Sequence, residues 1–402
     1  MKKAIALAFA IVVAIGATAA AFAKPTANAA AGATAAFSCK TGTIDLPFIT
    51  PLTGGAAFLG QEQATWAKYA VKTLPSQYGL KVKLLLGDTP VEQGPAPALA
   101  LAQKYIADKN VLAVLGPSTS GDAGATATPF FAAGIAEVSP SATHTDLTYA
   151  TPGDPLTGTP AFFRVVARDD QQGSTDAKFM IDKLHAKKVV SMDFQEPYSV
   201  GLSGQIDQSL QKAGVTVIHM SAPNTTTDYS AYVTKVPADT DVVFFPTQKP
   251  ADAQTMAQQL IEQGKKAKVF GGDGSNGPGQ FKVPGSYLSN FAAPISLFPY
   301  NKPIIAGWLK DNPGKQVGSF GPPTYGAVQV ILQGIKATCA DGHGVIAKRR
   351  DIIRHIKRVK IKNFILGGNF AFSTKSNDPL NRGFYIFQIQ SDGSYKLIQS
   401  PS

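Results

Sequence analysis

The chain has 402 residues, 44% hydrophobic and 16% charged, with 38 glycines and 28 prolines; this is the make-up of a globular protein of about two domains and excludes collagen, coiled coils and long disordered tracts. Its two cysteines are too few for a disulfide-framed mini-protein, and they lack the spacing of a zinc ribbon or a C-x-x-C redox site. The formal charge of +11 points to nucleic acid or a membrane surface only where it gathers on one element.

At the N-terminus, Lys2 and Lys3 precede an uncharged run from Ala4 to Phe22 that closes in Ala21-Phe22-Ala23, the small-x-small pattern of a cleaved signal peptide. The run is rich in alanine rather than leucine, which argues against a membrane anchor. Residues 1–23 are therefore read as a removed export signal and 24–40 as a lead-in. No cysteine follows the run to carry a lipid. Export leaves Cys39 and Cys339 in an oxidising compartment, where they pair if the fold brings them together; two separate buried thiols are the alternative. Nucleic acid is set aside as a partner outside the cytoplasm.

From Ile44 onward, short apolar runs alternate with segments of helical period, the mark of an α/β protein with parallel sheets. Strands are predicted at Ile44–Thr50, Val82–Gly87, Val111–Gly116, Ile135–Val138, Val189–Phe194, Val215–Met220, Val242–Pro246 and Val269–Gly272. Helices are predicted at Gly60–Thr73, Ala96–Asp108, Ser120–Ala133, Gln172–Leu184, Val200–Ala213, Pro250–Gln263, Tyr325–Thr338 and Val345–Val359. The alternation runs twice, to about residue 160 and again to about 290, which suggests two lobes facing across a cleft. Lys348–Lys360 holds much of the excess positive charge, with Ile352, Ile353, Ile356 and Val359 on one face. It reads as an amphipathic helix with a solvated basic face, and contact with anionic lipid or an acidic partner is the alternative.

Open α/β sheets bind ligands beyond the carboxyl ends of their strands. Three such loops are small and polar: Pro117–Gly121, Ser139–Thr143 and Gly272–Asn276. The last, taken on to Gly277, fits G-x-G-x-x-G, but it lies late in the chain, with no acid about 20 residues on to meet a ribose. No nucleotide-hydrolase, α/β-hydrolase or zincin motif occurs and the five histidines are scattered, so neither a catalytic residue nor a metal or cofactor site is assigned and the chain is read as a non-enzyme. Ligand capture remains. A helix N-terminus at Ser120 and hydroxyls at Ser141 and Thr143 suit a carboxylate, and Asp273 suits an ammonium, together a receptor for an α-amino acid. Ordinary helix capping and a turn aspartate are the structural alternatives. An aspartate paired in this way is expected to titrate far below neutral pH.

These same residues resemble the exported substrate-binding proteins of branched-chain amino acid ABC transporters, of periplasmic binding fold type I. The resemblance runs from about Thr43 to the end through an ordered set of motifs: Pro51-Leu52-Thr53-Gly54, Leu115-Gly116-Pro117 with Ser120-Gly121, Ser139–Thr143 with Leu147-Thr148, Phe162-Phe163-Arg164 with Asp169–Gly173, Tyr198 with Gly201-Leu202, Thr227-Asp228-Tyr229, Asp241–Phe245, Gly271–Gly274 and Tyr325-Gly326-Ala327. It implies two Rossmann-like lobes with parallel-core sheets, joined by a three-strand hinge with the ligand cleft between them. Lobe one is expected to hold 41–163 plus 292–366, and lobe two 164–291 plus 367–402, which places Cys39 and Cys339 in one lobe. The ligand site it implies comprises Ser120 and Gly121, Ser141, Ala142 and Thr143, Asp273 for the ammonium, Tyr198 as a cover, and Phe320 as a wall. Departures fall at Phe58-Leu59, where leucine-type binders often carry tyrosine, and at Gln248, which suits a polar side chain. The implied function is capture of an amino acid by hinge closure and delivery to the membrane permease of an ABC transporter, by a monomer. An aromatic carboxylate or small amide as ligand, and a ligand-sensing role on the same fold, are the alternatives.

Overall fold

The computed structural model describes residues 36–148 and 158–401; the expected signal peptide and most of the lead-in lie outside the described residues. Two sheets organise the chain. The first is fully parallel, in the order Val82–Asp88, Ile44–Thr50, Ala113–Leu115, Ala136–Ser139, Phe162–Arg164. The second has the order Tyr395–Gln399, Tyr385–Ile389, Tyr287–Asn290, Lys268–Gly271, Val242–Phe244, Lys188–Asp193, Thr216–Ser221. Its last five strands are parallel, and the hairpin of the first two joins antiparallel. Central strands are buried on both faces, as Ala113–Leu115 and Val242–Phe244 are throughout, which explains why they read as unbroken apolar runs.

All eight predicted strands and all eight predicted helices have counterparts, most within a few residues. The exception is the segment predicted as one helix over Val345–Val359. Val345–Ile346 is a short strand paired antiparallel with Phe37–Ser38, and the helix covers only Arg350–Lys357. The pairing sits beside the Cys39–Cys339 disulfide, whose Cα atoms are 6.1 Å apart, and Cys39 N donates to Gly344 O at 2.9 Å. Long-range tethering thus overrides local helical period there. The basic segment also differs from a purely solvated face. Arg349 Nη1 donates to Ile106 O and Asp108 O, each at 3.2 Å, closing the end of the helix Ala96–Ala107. Arg350 Nη2 reaches Phe131 O in the helix Ser120–Ala132 at 3.3 Å. These cations neutralise carbonyl ends of helices; Lys348, Arg354, Arg358 and Lys360 stay exposed.

The helix Gly321–Asp341 packs with the helix Ala57–Thr73 in the core of the first sheet. Trp66 stacks on Trp308 at 4.9 Å between ring centroids. Gly321 is required by this packing, since a Cβ there would stand 1.9 Å from Trp66 Cδ1. The chain passes between the sheets three times: after Phe162–Arg164, after Tyr287–Asn290, and at Phe384–Tyr385. Residues 367–384, assigned above to the second lobe, lie against the first sheet instead, because Phe370, Phe372 and Phe384 bury their rings in its core with Phe163 and Phe364.

Candidate functional site

On the first sheet's side, two strand ends deliver the polar loops. Gln63, a fully buried amide on the apolar face of the helix Ala57–Thr73, ties them together: Oε1 accepts from Ser118 Oγ at 2.6 Å and Thr50 Oγ1 at 3.0 Å, and Nε2 donates to Ser141 Oγ at 2.8 Å. Ser141 Oγ donates onward to Ser118 O at 2.6 Å. The hydroxyls of Ser118 and Ser141 are thereby committed to architecture. Ser120 differs: its Oγ accepts from His144 N at 3.2 Å, which leaves its proton for a ligand acceptor. Ser120 opens the helix Ser120–Ala132, whose first-turn N–H groups have no partners within the helix; Thr119 Oγ1 takes only that of Asp122, at 3.4 Å.

The loop Ala142–Thr148 is held from behind by Arg164, which is fully buried. Its Nε donates to Asp378 Oδ1 at 2.8 Å, Nη1 to Ala142 O at 3.0 Å and His144 O at 2.9 Å, and Nη2 to Thr148 Oγ1 at 2.9 Å and Thr145 O at 3.3 Å. Every guanidinium N–H is used. Asp378 also accepts from Arg168 Nη1 at 3.0 Å, from Thr148 Oγ1 and from Ser376 Oγ.

On the second sheet's side, the turn Asp273–Ser275 follows the strand Lys268–Gly271, with no helix after it to support a dinucleotide fingerprint. Tyr198, in the first turn of the helix Pro197–Lys212, donates its hydroxyl to Asp273 Oδ1 at 2.9 Å and accepts Gly274 N at 3.1 Å. The flanking glycines make this approach possible: a Cβ on Gly272 would lie 2.3 Å from Tyr198 Oη, and one on Gly274 2.7 Å from Thr247 O. Burial, partly offset by the Tyr198 bond, pushes the Asp273 carboxyl up to about 6. Gln248 Nε2 donates to Glu196 Oε2 at 2.9 Å. Burial raises Glu196 to about 7, and it raises Asp169 well above the ordinary aspartate range, with the nearby Asp273 charge adding to it.

The two sides meet over a cavity of about 10 Å³ lined by Leu59, Ser118, Thr119, Ser120, Ser141, Tyr198, Gln248, Asp273, Gly274 and Phe320. Seven of the expected site residues stand on this wall. The other four lie beside it: Gly121 lines neighbouring cavities, Phe58 packs edge-on against Phe320 at 5.5 Å, and Ala142 and Thr143 are fully buried, the Thr143 hydroxyl beside the Asp169 carboxylate. In the sequence Asp169 stands out only as part of a motif, and nothing there singles out Glu196. Gln63 left one signal, a polar residue in register with the apolar positions Leu59, Trp66 and Ala70. Donors thus face the cavity from the Ser120 side and a carboxylate from the other, with no lysine or arginine among the described residues of its wall.

A family description, "Periplasmic binding protein", matches residues 43–394. The chain belongs to this family. Its members are extracytoplasmic substrate-binding proteins, and the fold here is type I. Among relatives, the "Leu/Ile/Val-binding protein homolog 1" of Brucella suis biovar 1 is 26% identical over 358 residues, 87% of this chain and 91% of that protein. Among solved structures, the leucine binding protein LivK of Thermotoga maritima superposes with a TM-score of 0.77 at 22% identity, covering 89% of this chain and 98% of that one. A solute binding protein of R. palustris solved in complex with benzoate gives 0.73 at 17% identity, covering 89% and 96%. Among the described residues, no helix is long and apolar enough to cross a membrane.

Proposed function

We propose that the protein captures an α-amino acid between its two sheets by hinge closure and hands it to the permease of an ABC transporter. The observation that carries this reading is the division of polarity across the cavity. A free hydroxyl proton and a helix N-terminus at Ser120 face a buried carboxylate at Asp273. A zwitterion matches both, since each buried charge then meets an opposite or hydrogen-bonding group. The Leu/Ile/Val-binding relatives support an amino acid as ligand. The small size of the cavity, about 10 Å³, means that the sides part to admit a ligand, and the three passages between the sheets are where bending would occur. The reading includes export by cleavage after Ala23 and a monomeric chain.

A second reading, an aromatic carboxylate, draws on the ring of Phe320 on the cavity wall, against which Phe58 and Phe291 each pack edge-to-face at 5.5 Å, and on the benzoate-bound neighbour. A thermal-shift screen against amino acids, aromatic acids, keto acids and small amides separates the two. A ligand at about a thousand times its dissociation constant adds about 4 kcal/mol of stability. A response confined to α-amino acids is expected; a response only to compounds without an α-amine overturns the amino-acid reading.

A further inference from the structure

The binding cavity does not end at Gln248. Thr119 and Gln248 also line a second cavity of about 190 Å³, whose remaining walls include Val91, Pro95, Pro197, Asp122 and Glu196. A ligand group leaving the Ser120 and Asp273 pair between Thr119 and Gln248 enters this space. Its charge is one-sided, while Gln195 and Asn224 add neutral amides to the wall. Among the described residues the charged ones on its wall are both acids, and no lysine, arginine or histidine lines it. Asp122, in the first turn of the helix Ser120–Ala132, is 5% exposed, with the Thr89 and Thr119 hydroxyls beside its carboxylate. Gln248 adds a second acceptor. Its Nε2 is taken by Glu196 Oε2 at 2.9 Å, and that carboxylate is itself fixed by the N–H groups of Tyr198 and Ser199 at 3.1 and 3.0 Å. With the amide nitrogen so held, Oε1 is the atom Gln248 offers to an incoming group.

We propose that this second cavity receives the distal end of the ligand and selects a hydrogen-bond donor there, a hydroxyl, amide N–H or amine, over hydrocarbon or carboxylate. The inference rests on the amino-acid reading for its scaffold but not for its rule. A hydrocarbon end strips water from Gln248 Oε1 and returns nothing. A carboxylate end meets two acids and no cation.

The test is calorimetry on the protein at about pH 8, where Asp122 and Glu196 are ionised, with ligands paired by shape: asparagine with leucine, glutamine with methionine, lysine with norleucine, glutamate with glutamine, and 4-hydroxybenzoate with benzoate. The donor-bearing member is expected to bind at least about tenfold more tightly in one or more pairs, and Q248L and D122N, each checked for a cooperative melt, to bring that ratio toward one. Equal or tighter binding of the hydrocarbon member throughout, glutamate outbinding glutamine, or a ratio that survives both variants overturns the inference while amino-acid binding stands. If no amino acid binds but 4-hydroxybenzoate outbinds benzoate, the amino-acid reading falls and the donor rule stands. Silence across the panel overturns both.

Discussion

Asp273 is held ready by its neighbours at a cost that pH exposes. With the two sides closed and no ligand between them, burial pushes its carboxyl up to about 6, so the expectation of an aspartate ionised far below neutral pH holds only once an ammonium is paired with it. An ammonium binds the ionised form; below about pH 6 capture must first release a proton. Affinity for an amino acid is therefore expected to be flat above that value and to weaken by about tenfold for each pH unit below it. Titration calorimetry from about pH 4 to 8 measures this, and a profile without a break would remove Asp273 from the ammonium site. Asp273→Asn should flatten the profile and weaken binding by about 2 to 5 kcal/mol, the cost of breaking a buried charge pair. Glu137 offers an independent case in the strand Ala136–Ser139. Thr126 Oγ1 donates to its Oε1 at 2.7 Å, its Oε2 has no partner among the described residues, and burial lifts the group from 4.5 to about 8. The folded state holds this proton more tightly than the unfolded chain, so the stabilisation is full below about 4.5 and is lost as pH rises through about 8. The melting temperature of Glu137→Gln should fall less than that of the parent protein between about pH 5 and 9; parallel curves would count against the assignment.

At the scale of elements, the loop Ala142–Thr148 illustrates how much the sequence disclosed. The strands around it were legible because central parallel strands are apolar on both faces, and the loop itself because Ser139–Thr143 is small and polar after such a run. Its anchor was not legible: Arg164 and Asp378 are 214 positions apart, and nothing local marks Asp378 as the partner of a buried guanidinium. The same reason hid the interplay of Glu196 with Gln248, which joins two lobe-two loops. By contrast, the missed hairpin Tyr385–Gln399 carried its own signal in the Asp392-Gly393 turn, where Gln390 N bonds Ser394 O at 2.8 Å. The Arg164 and Asp378 anchor makes a definite prediction. Asp378→Asn leaves two arginines beside a neutral side chain, and should destabilise the fold by about 3 to 5 kcal/mol. Because three of the Arg164 bonds end on carbonyls of the ligand loop, it should also speed hydrogen exchange in a peptide covering residues 140–148 of the ligand-free protein. A lower melting point with unchanged exchange there would show that the pair supports the fold without holding the loop.

On the scale of the whole molecule, the disulfide and the hinge act on different free energies, and this difference is measurable. Cys39 and Cys339 are separated by 300 residues, so their bond closes about three quarters of the unfolded chain into a loop, worth about 4 to 5 kcal/mol by loop-closure entropy. Both cysteines, however, belong to the core of the first sheet. The bond does not cross between the sheets, and it leaves the passages at Arg164, Asn290 and Phe384 free to bend. Cys339→Ser, or gentle reduction, should therefore lower the melting temperature by several degrees and leave amino-acid affinity and the ligand-induced change in radius of gyration nearly untouched. Loss of affinity in step with stability would mean instead that the first lobe's rigidity is part of closure, because the helix carrying Cys339 begins at Gly321, next to Phe320 on the cavity wall. Small-angle scattering with and without ligand, on the parent protein and the variant, separates these outcomes.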